Sequence, residues 1–336
     1  MYVDHNATAP MSDAVVAAVE DAMRTSWANP GSPHRAGQGS AVRVQFARRQ
    51  VAEMVGCPAK EVFFTSGATE ANAWVLHSSS MPVVASAVEH PSVLDWADET
   101  IDVDESGVIS LAKLEERLQR GPALVSVMAA NNETGVLQPV ADVRALCAKY
   151  QAPYHCDATQ IPGRMDFDVQ ADWVTISAHK MGGPRGIGAL ICAKPPPALL
   201  RGGSQERGHR AGTLNTPAIV GFGAAASAVR PVSADQRDVL EAFCRRYGAN
   251  VLSGNAKRLP NTLSVLFDVP GDLIVTALDL RGIQASTGSA CSSGAATNSH
   301  VLTAMGVKGT PVRFLLTETL LAFLAKPIFI QEMFIF

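Results

Sequence analysis

The chain has 336 residues, 47% of them hydrophobic, and 28 Lys plus Arg against 31 Asp plus Glu give a formal net charge of -3. That length suffices for one large domain and a smaller one, each with a buried core, and a slightly acidic balance gives no sign of the clustered basic surface that nucleic acid demands. The opening "MYVDHNATAP" has neither the basic nor the apolar run of a secretory leader, so a cytoplasmic location is expected.

The first element is "SDAVVAAVEDAMRTSW", whose apolar residues recur at helical spacing behind Ser12 as N-cap. A strand is predicted at "EVFFT", then a glycine turn and a helix from "ATEANAWVLH". Further strands are predicted at "PVVAS", "ALVSVMA", "APYHCD", "DWVTIS" and "GALICA", with helices "LAKLEERLQRG" and "ADVRALCAKY" between them. Short β-branched runs alternating with helices predict a mainly parallel α/β sheet. The pattern breaks at "KPPPALLRGG". Beyond residue 250 a strand "TLSVLFDV" and a helix "DLIVTALDLRG" read as a smaller α+β domain. The expected division is a large domain over 1–250, with its N-terminal segment packed on the small one, and a small domain over 251–336.

Six cysteines occur, at 57, 147, 156, 192, 244 and 291, and no two form a CxxC pair. No zinc or thioredoxin-type motif follows. Cys147, Cys156, Cys192 and Cys244 stand among apolar residues and are expected in cores. Cys291 differs, sitting in "STGSACSSG" among small polar neighbours.

In an open α/β sheet, ligands gather beyond the carboxyl ends of the strands. The polar residues predicted there are Ser66 to Thr69, His90, Asn131 and Asn132, Asp157 and Gln160, and His179 and Lys180. A strand-end lysine is ordinarily just solvated. Lys180, however, precedes a run of glycines, which admit a ligand closely, and a lysine so placed can form a Schiff base with an aldehyde cofactor. Pyridoxal phosphate needs two further things, a carboxylate opposite its pyridine nitrogen and a phosphate cradle. Asp157 offers the first, although it would also serve as a helix N-cap. Gly67, Ala68 and Thr69 at a helix start offer the second.

The chain resembles the cysteine desulfurases, within the class V aminotransferase group of fold-type I pyridoxal-phosphate enzymes. The stretches that carry the resemblance are "YVDHNATAP", "NPGSPHRAGQ", "FTSGATEANAW", "EHPSV", "NNETGVLQP", "HCDATQ", "SAHKMGGPRGIGAL", "GGSQERGHRAGTLN" and "STGSACSSG". They follow one another in the family's order across residues 1 to 314. The resemblance implies that Lys180 forms the Schiff base, that Asp157 pairs with the pyridine nitrogen, and that Gln160 meets the ring hydroxyl. It implies that His90 stacks on the ring and shuttles protons. Ala68, Thr69, Ser177 and His179 cradle the phosphate, and Thr213 reaches the phosphate of a neighbouring subunit. Asn132 and Arg313 hold the substrate carboxylate. Cys291 is the nucleophile that takes sulfur from L-cysteine as a persulfide, with His90 receiving its proton.

The implied partners are L-cysteine, a second copy of the chain and a sulfur-acceptor protein such as an iron–sulfur scaffold, without a metal, nucleic acid or membrane. A selenocysteine lyase, a related aminotransferase-like enzyme and an impaired scaffold subunit are the alternatives. After "VRF" the sequence departs from the family and reads "LLTETLLAFLAKPIFIQEMFIF". The small domain is thus expected to be truncated or altered after about residue 314. Lys326 and Pro327 interrupt that apolar tail, which is too short for a membrane span.

Overall fold

The structure is a computed structural model that describes residues 1–287 and 299–315. In chain order it runs α1 (Asp13–Thr25), α2 (Arg35–Val55), β1 (Val62–Thr65), α3 (Ala68–His77), β2 (Val83–Ser86) and α4 (Pro91–Leu94). There follow β3 (Glu99–Ile101), α5 (Leu111–Gln119), β4 (Leu124–Ser126), α6 (Val140–Lys149), β5 (Tyr154–Asp157), β6 (Trp173–Ser177) and β7 (Gly188–Ile191). The remainder is α7 (Thr216–Ala228), α8 (Asp235–Arg246), β8 (Asn250–Val251), β9 (Thr262–Leu266), α9 (Gly271–Leu280), β10 (Ser286–Thr287), α10 (His300–Ala304) and β11 (Val312–Leu315).

The first seven strands form one sheet in the order β1-β7-β6-β5-β4-β2-β3. The pairings from β6 through β3 are parallel, and β7 alone runs against its neighbours. This is the mainly parallel sheet expected from the alternation. Strands β1, β2, β4, β5 and β7 are buried at every position, as strands covered by helices on both faces must be. Val62 and Phe64 turn into a core shared with α2, α5, α6 and α7, whereas Phe63 points the other way, to Ala71, Trp74 and Val75 of α3. The molecule here is therefore a helix–sheet–helix sandwich.

A second sheet, ordered β10-β11-β9-β8, is antiparallel throughout. Its core joins Leu263, Val265 and Val312 to Leu240 and Cys244 of α8 and to Ile274 and Leu278 of α9. Val3 belongs to the same core, and the chain start is tied there by Val3 N–H to the Gln284 carbonyl at 3.0 Å. Among the described residues no helix is long and apolar enough to cross a membrane.

Candidate active site

Six of the seven strands point the same way, so their carboxyl ends share one edge, and a cavity of 580 Å³ opens there. It is lined by Ala68, Thr69, His90, Asn132, Asp157, Gln160, Ser177, His179, Lys180 and Arg313. Ten of the residues singled out in the sequence are thus brought together. Thr213 is not among them: it is exposed, on the loop ahead of α7. Cys291 lies outside the described residues.

Helix α3 begins at Gly67 without a side-chain cap. Its first N–H groups have no intrahelical partner, and the residues that carry them, Ala68, Thr69 and Glu70, line the cavity at the positive end of a ten-residue helix. Backbone approach at this turn is unusually close. A Cβ on Gly188, in β7, would stand 2.8 Å from the Cα of Gly67. Glu70 in the first turn accepts from Ser66 N–H at 2.7 Å and is held by both arms of Arg210 at 2.8 and 2.9 Å.

Asp157, at the end of β5, is 6% exposed. Its Oδ1 accepts from Thr159 N–H at 2.9 Å and its Oδ2 from Asn72 Nδ2 at 2.8 Å. Asn72 Nδ2 also donates to Ser92 Oγ at 3.0 Å. Ser92 N–H, at 3.1 Å, and Ser92 Oγ, at 2.8 Å, both meet Nδ1 of His90. The backbone N–H can only donate, so Nδ1 holds the lone pair, and a neutral His90 carries its proton on Nε2. Burial lowers the pKa of His90 from its usual value, and Lys180 adds to the effect while Asp157 opposes it.

Lys180 Nζ donates to the carbonyls of Asn6 and of Ala7, the latter at 2.9 Å. Gln160 donates to the Asn6 carbonyl at 3.2 Å, while its Oε1 is buried without a hydrogen-bond partner. His179 meets Thr8 Oγ1 at 3.3 Å, and burial, with Lys180 and Arg185 nearby, pulls its pKa down to about 4. The buried Arg313 guanidinium donates to the Asn132 carbonyl at 3.1 Å, to Asp4 Oδ1 at 2.9 Å and to Ser286 Oγ at 2.7 Å.

Several residues of the site were not singled out beforehand. Asn6 organises Lys180, Gln160 and the Asn132 backbone. Asn72 lies one turn after Ala68 on the buried side of α3, a spacing that could have revealed it. Glu89 is wholly buried, accepts from Met128 N–H at 2.7 Å, and is pushed well above the carboxylate range by burial. Glu133 accepts from Ser299 Oγ at 2.6 Å. His300, first residue of α10, also lines the cavity. Charged residues beside strand exits, as in "EHPSV" and "NNETG", were the available signal.

The arrangement suits an aldehyde cofactor bearing a pyridine ring and a phosphate. A carboxylate is fixed by two donors, an acceptor atom at Gln160 awaits a hydroxyl, an uncapped helix start suits an anion, and a primary amine lies on the same cavity. Among the described residues no group of three His, Cys, Asp or Glu side chains is placed to hold a metal.

Comparison with known proteins agrees with this geometry. Residues 1–314 match the family model described as aminotransferase class-V. The chain is 39% identical to the cysteine desulfurase of Cereibacter sphaeroides, over 92% of this chain and 88% of that protein. It is 38% identical to cysteine desulfurase IscS 1 of Archaeoglobus fulgidus, over 91% and 88%. The crystal structure of a NifS-like protein from Rickettsia africae superposes with a TM-score of 0.89 at 32% identity, covering 99% of this chain and 98% of that one. A structure of SspA in complex with cysteine gives 0.84 at 29% identity, over 94% and 98%.

Proposed function

The chain belongs to the class-V aminotransferase family and is a pyridoxal-phosphate-dependent cysteine desulfurase, and we propose that the residues gathered on this one cavity convert L-cysteine to L-alanine. The observation that carries the assignment is the convergence of Lys180, Asp157, Gln160, His90 and the uncapped start of α3 at the shared strand edge. When bound, the cofactor supplies an aldehyde that joins to amines and an electron-poor ring that accepts charge from the substrate.

Lys180 would hold the aldehyde carbon, Asp157 the pyridine nitrogen, and Gln160 the ring hydroxyl through Oε1. Ala68, Thr69, Ser177 and His179 would hold the phosphate, with His90 over the ring. A neutral His90 presents Nε2–H and so donates a hydrogen bond into the cavity; taking the Cys291 proton, the role the resemblance implies, would need the other tautomer. Arg313 and Asn132 would hold the substrate carboxylate. The Asp4 and Ser286 contacts fix the Arg313 guanidinium in advance, which lowers the ordering cost of binding.

Cys291 is the proposed sulfur acceptor. Its thiolate attacks the substrate sulfur, an S–S bond forms as the substrate C–S bond breaks, and the electron pair stays on the carbon that becomes the methyl of alanine. Burial supports this choice by removing the alternatives. It pushes the thiol of Cys57 up to about 11 and those of Cys147, Cys192 and Cys244 to about 12, and it raises Cys156 as well. None of these five would be a thiolate at neutral pH.

Two sheets suggest two units, a large one over 1–250 holding the cofactor and a small one over 251–336 contributing Arg313 and Cys291, with Val3 and α8 of the first packed into the core of the second. The proposed assembly is a homodimer. Thr213 is exposed and so available to a second copy, and Met23, Trp27, Val42 and Phe46 leave large apolar side chains exposed on and beside α1 and α2. The persulfide would pass to an acceptor protein, such as an iron–sulfur scaffold or a thiolation partner, in the cytoplasm. Incubating the purified protein with L-cysteine and an excess of a dithiol reductant, which supplies the two electrons that release the persulfide sulfur as sulfide, and measuring alanine and sulfide tests the reading. Alanine and sulfide in equal amounts are expected, and the absence of both would overturn it.

A further inference from the structure

We infer that His300 is a second catalytic histidine of this cavity, with its Nδ1 as the proton acceptor for the ammonium group of the incoming amino acid. The inference rests on the reading of the cavity given above and adds a residue to it.

The reacting amino acid arrives with an ammonium group and must present an amine. One N–H bond has to break, leaving the electron pair on nitrogen, and the proton needs a base. The nitrogen groups around the cavity do not serve equally. Lys180 Nζ is a donor to two carbonyls. Arg313 is a cation with no lone pair. His90 has its lone pair turned away, because Nδ1 accepts from Ser92 N–H and Ser92 Oγ, so a neutral ring shows the cavity only a donor. His179 is a weak base in its buried place among cations.

His300 is oriented the opposite way. Its Nε2 lies 2.8 Å from the carbonyl oxygen of Glu89. A carbonyl only accepts, so Nε2 carries the proton and the neutral ring keeps its lone pair on Nδ1. The same bond holds the ring beside the residue that precedes His90. The side chain is half-buried and lines the cavity. It stands between His90, whose proton affinity it lowers, and Glu133, which also feels Arg313. Arg313 is the residue assigned to the substrate carboxylate, so His300 belongs to the substrate end of the cavity. The titratable groups that face it are His90 and Glu89 ahead of α4, Glu133 after β4, and Arg313 of β11 through Glu133.

Proton transfer from the ammonium to Nδ1 yields an amine and an imidazolium. The ammonium of a free amino acid holds its proton more tightly than an imidazolium does, so the transfer is uphill and is drawn forward as the amine is consumed. Two orientations of one side-chain type then divide the work: His90 donates a hydrogen bond into the cavity and His300 takes a proton.

His300→Gln separates the chemical role from a structural one. The glutamine amide can still donate to the Glu89 carbonyl, but it offers no basic nitrogen. In the cofactor-loaded enzyme, the variant should keep cofactor occupancy and lose roughly 100-fold in kcat/KM for L-cysteine. The acidic limb of the pH profile should change in the variant. A variant with kcat/KM within about 3-fold of wild type, or one that is slow with an unchanged pH profile, would overturn the inference. A second readout does not depend on turnover. Nitrogen-15 spectra of the full chain labelled at histidine should show His300 with a protonated Nε2 and an unprotonated Nδ1 near pH 7.5. The reverse tautomer would also overturn it. A wild-type protein that makes no alanine would instead refute the reading of the whole cavity, and the spectra would still decide the state of His300.

Discussion

Replacing Arg48 by methionine should destabilise the protein heavily although the residue is remote from the chemistry. Arg48 and Glu206 are 3% and 4% exposed. Nη1 and Nη2 of Arg48 donate to the two carboxylate oxygens at 2.7 and 2.6 Å, and Nη1 also donates to the Val62 carbonyl at 2.7 Å. Glu206 further accepts from Phe64 N–H at 2.9 Å. The clamp holds a backbone that resists its own shape, since Glu206 and Arg207 have φ of 46° and 59°, and each left-handed non-glycine residue costs ~1–2 kcal/mol. Methionine preserves helix propensity and much of the volume but leaves Glu206 buried with one N–H donor. Breaking a buried pair from one side costs roughly 3–5 kcal/mol. With a urea m-value of ~3 kcal/mol/M or somewhat more for a chain this long, the midpoint should fall by ~1 M. Urea unfolding followed by circular dichroism measures it. Arg48→Met with Glu206→Met should recover part of the loss, because no uncompensated charge then remains. The loop that Glu206 anchors also carries Arg210, the partner of Glu70 at the start of α3, so the single variant should lose cofactor faster on dialysis. A midpoint within ~0.3 M of wild type, or a double variant as damaged as the single one, would refute the reasoning.

Three further outcomes are expected. Lys180→Ala should abolish the covalent attachment of pyridoxal phosphate, read as loss of a borohydride-reducible adduct by mass spectrometry; an adduct that persists would point to another lysine. Cys291→Ser should still bind cofactor and L-cysteine but form no persulfide and almost no alanine, whereas single replacements of the five described cysteines should cost far less. His155 is fully buried between Ser126 Oγ at 2.8 Å and Thr175 Oγ1 at 3.1 Å, and burial lowers its pKa to about 4. Above pH ~6.5 it is neutral in both the folded and unfolded chain. Below that, only the unfolded chain takes up the proton, so stability should fall between pH ~6.5 and ~4 by about 3 kcal/mol from this residue. Urea midpoints at pH 7.5, 5.5 and 4.5 should therefore converge between wild type and His155→Gln, and parallel curves would refute the assignment.

What the sequence disclosed and what it hid follow from the range of the interactions involved. Strands β1, β2, β4, β5, β6 and β7 were legible because a strand covered on both faces must be a short apolar run, and β5 and β6 end in Asp157 and Ser177, which line the cavity. Helices α2 and α7 were not. Helix α2 carries arginines and glutamines through its middle and buries small residues such as Ser40 and Ala47. Helix α7, "TPAIVGFGAAASA", is apolar on nearly every side and contains two glycines, so it shows no 3.6-residue contrast. Two of its neighbours explain those glycines: a Cβ at Gly221 would stand 2.5 Å from Pro184, and one at Gly223 would stand 2.7 Å from Ala47 of α2.

The same distinction holds inside the site. Residue types at strand exits could be read one position at a time, which is how Lys180, Asp157 and His90 came into view. The state of each group could not, because it is set by partners far away in sequence. Asn6 contacts Lys180 from 174 positions away, Asn72 reaches Asp157 across 85, and Glu89 meets His300 across 211. A histidine in a sequence is equally a donor and an acceptor. Ser92 makes His90 the first toward the cavity, and the carbonyl of Glu89 makes His300 the second. The chemistry that separates two identical side chains thus resides in the atom each turns away from the substrate.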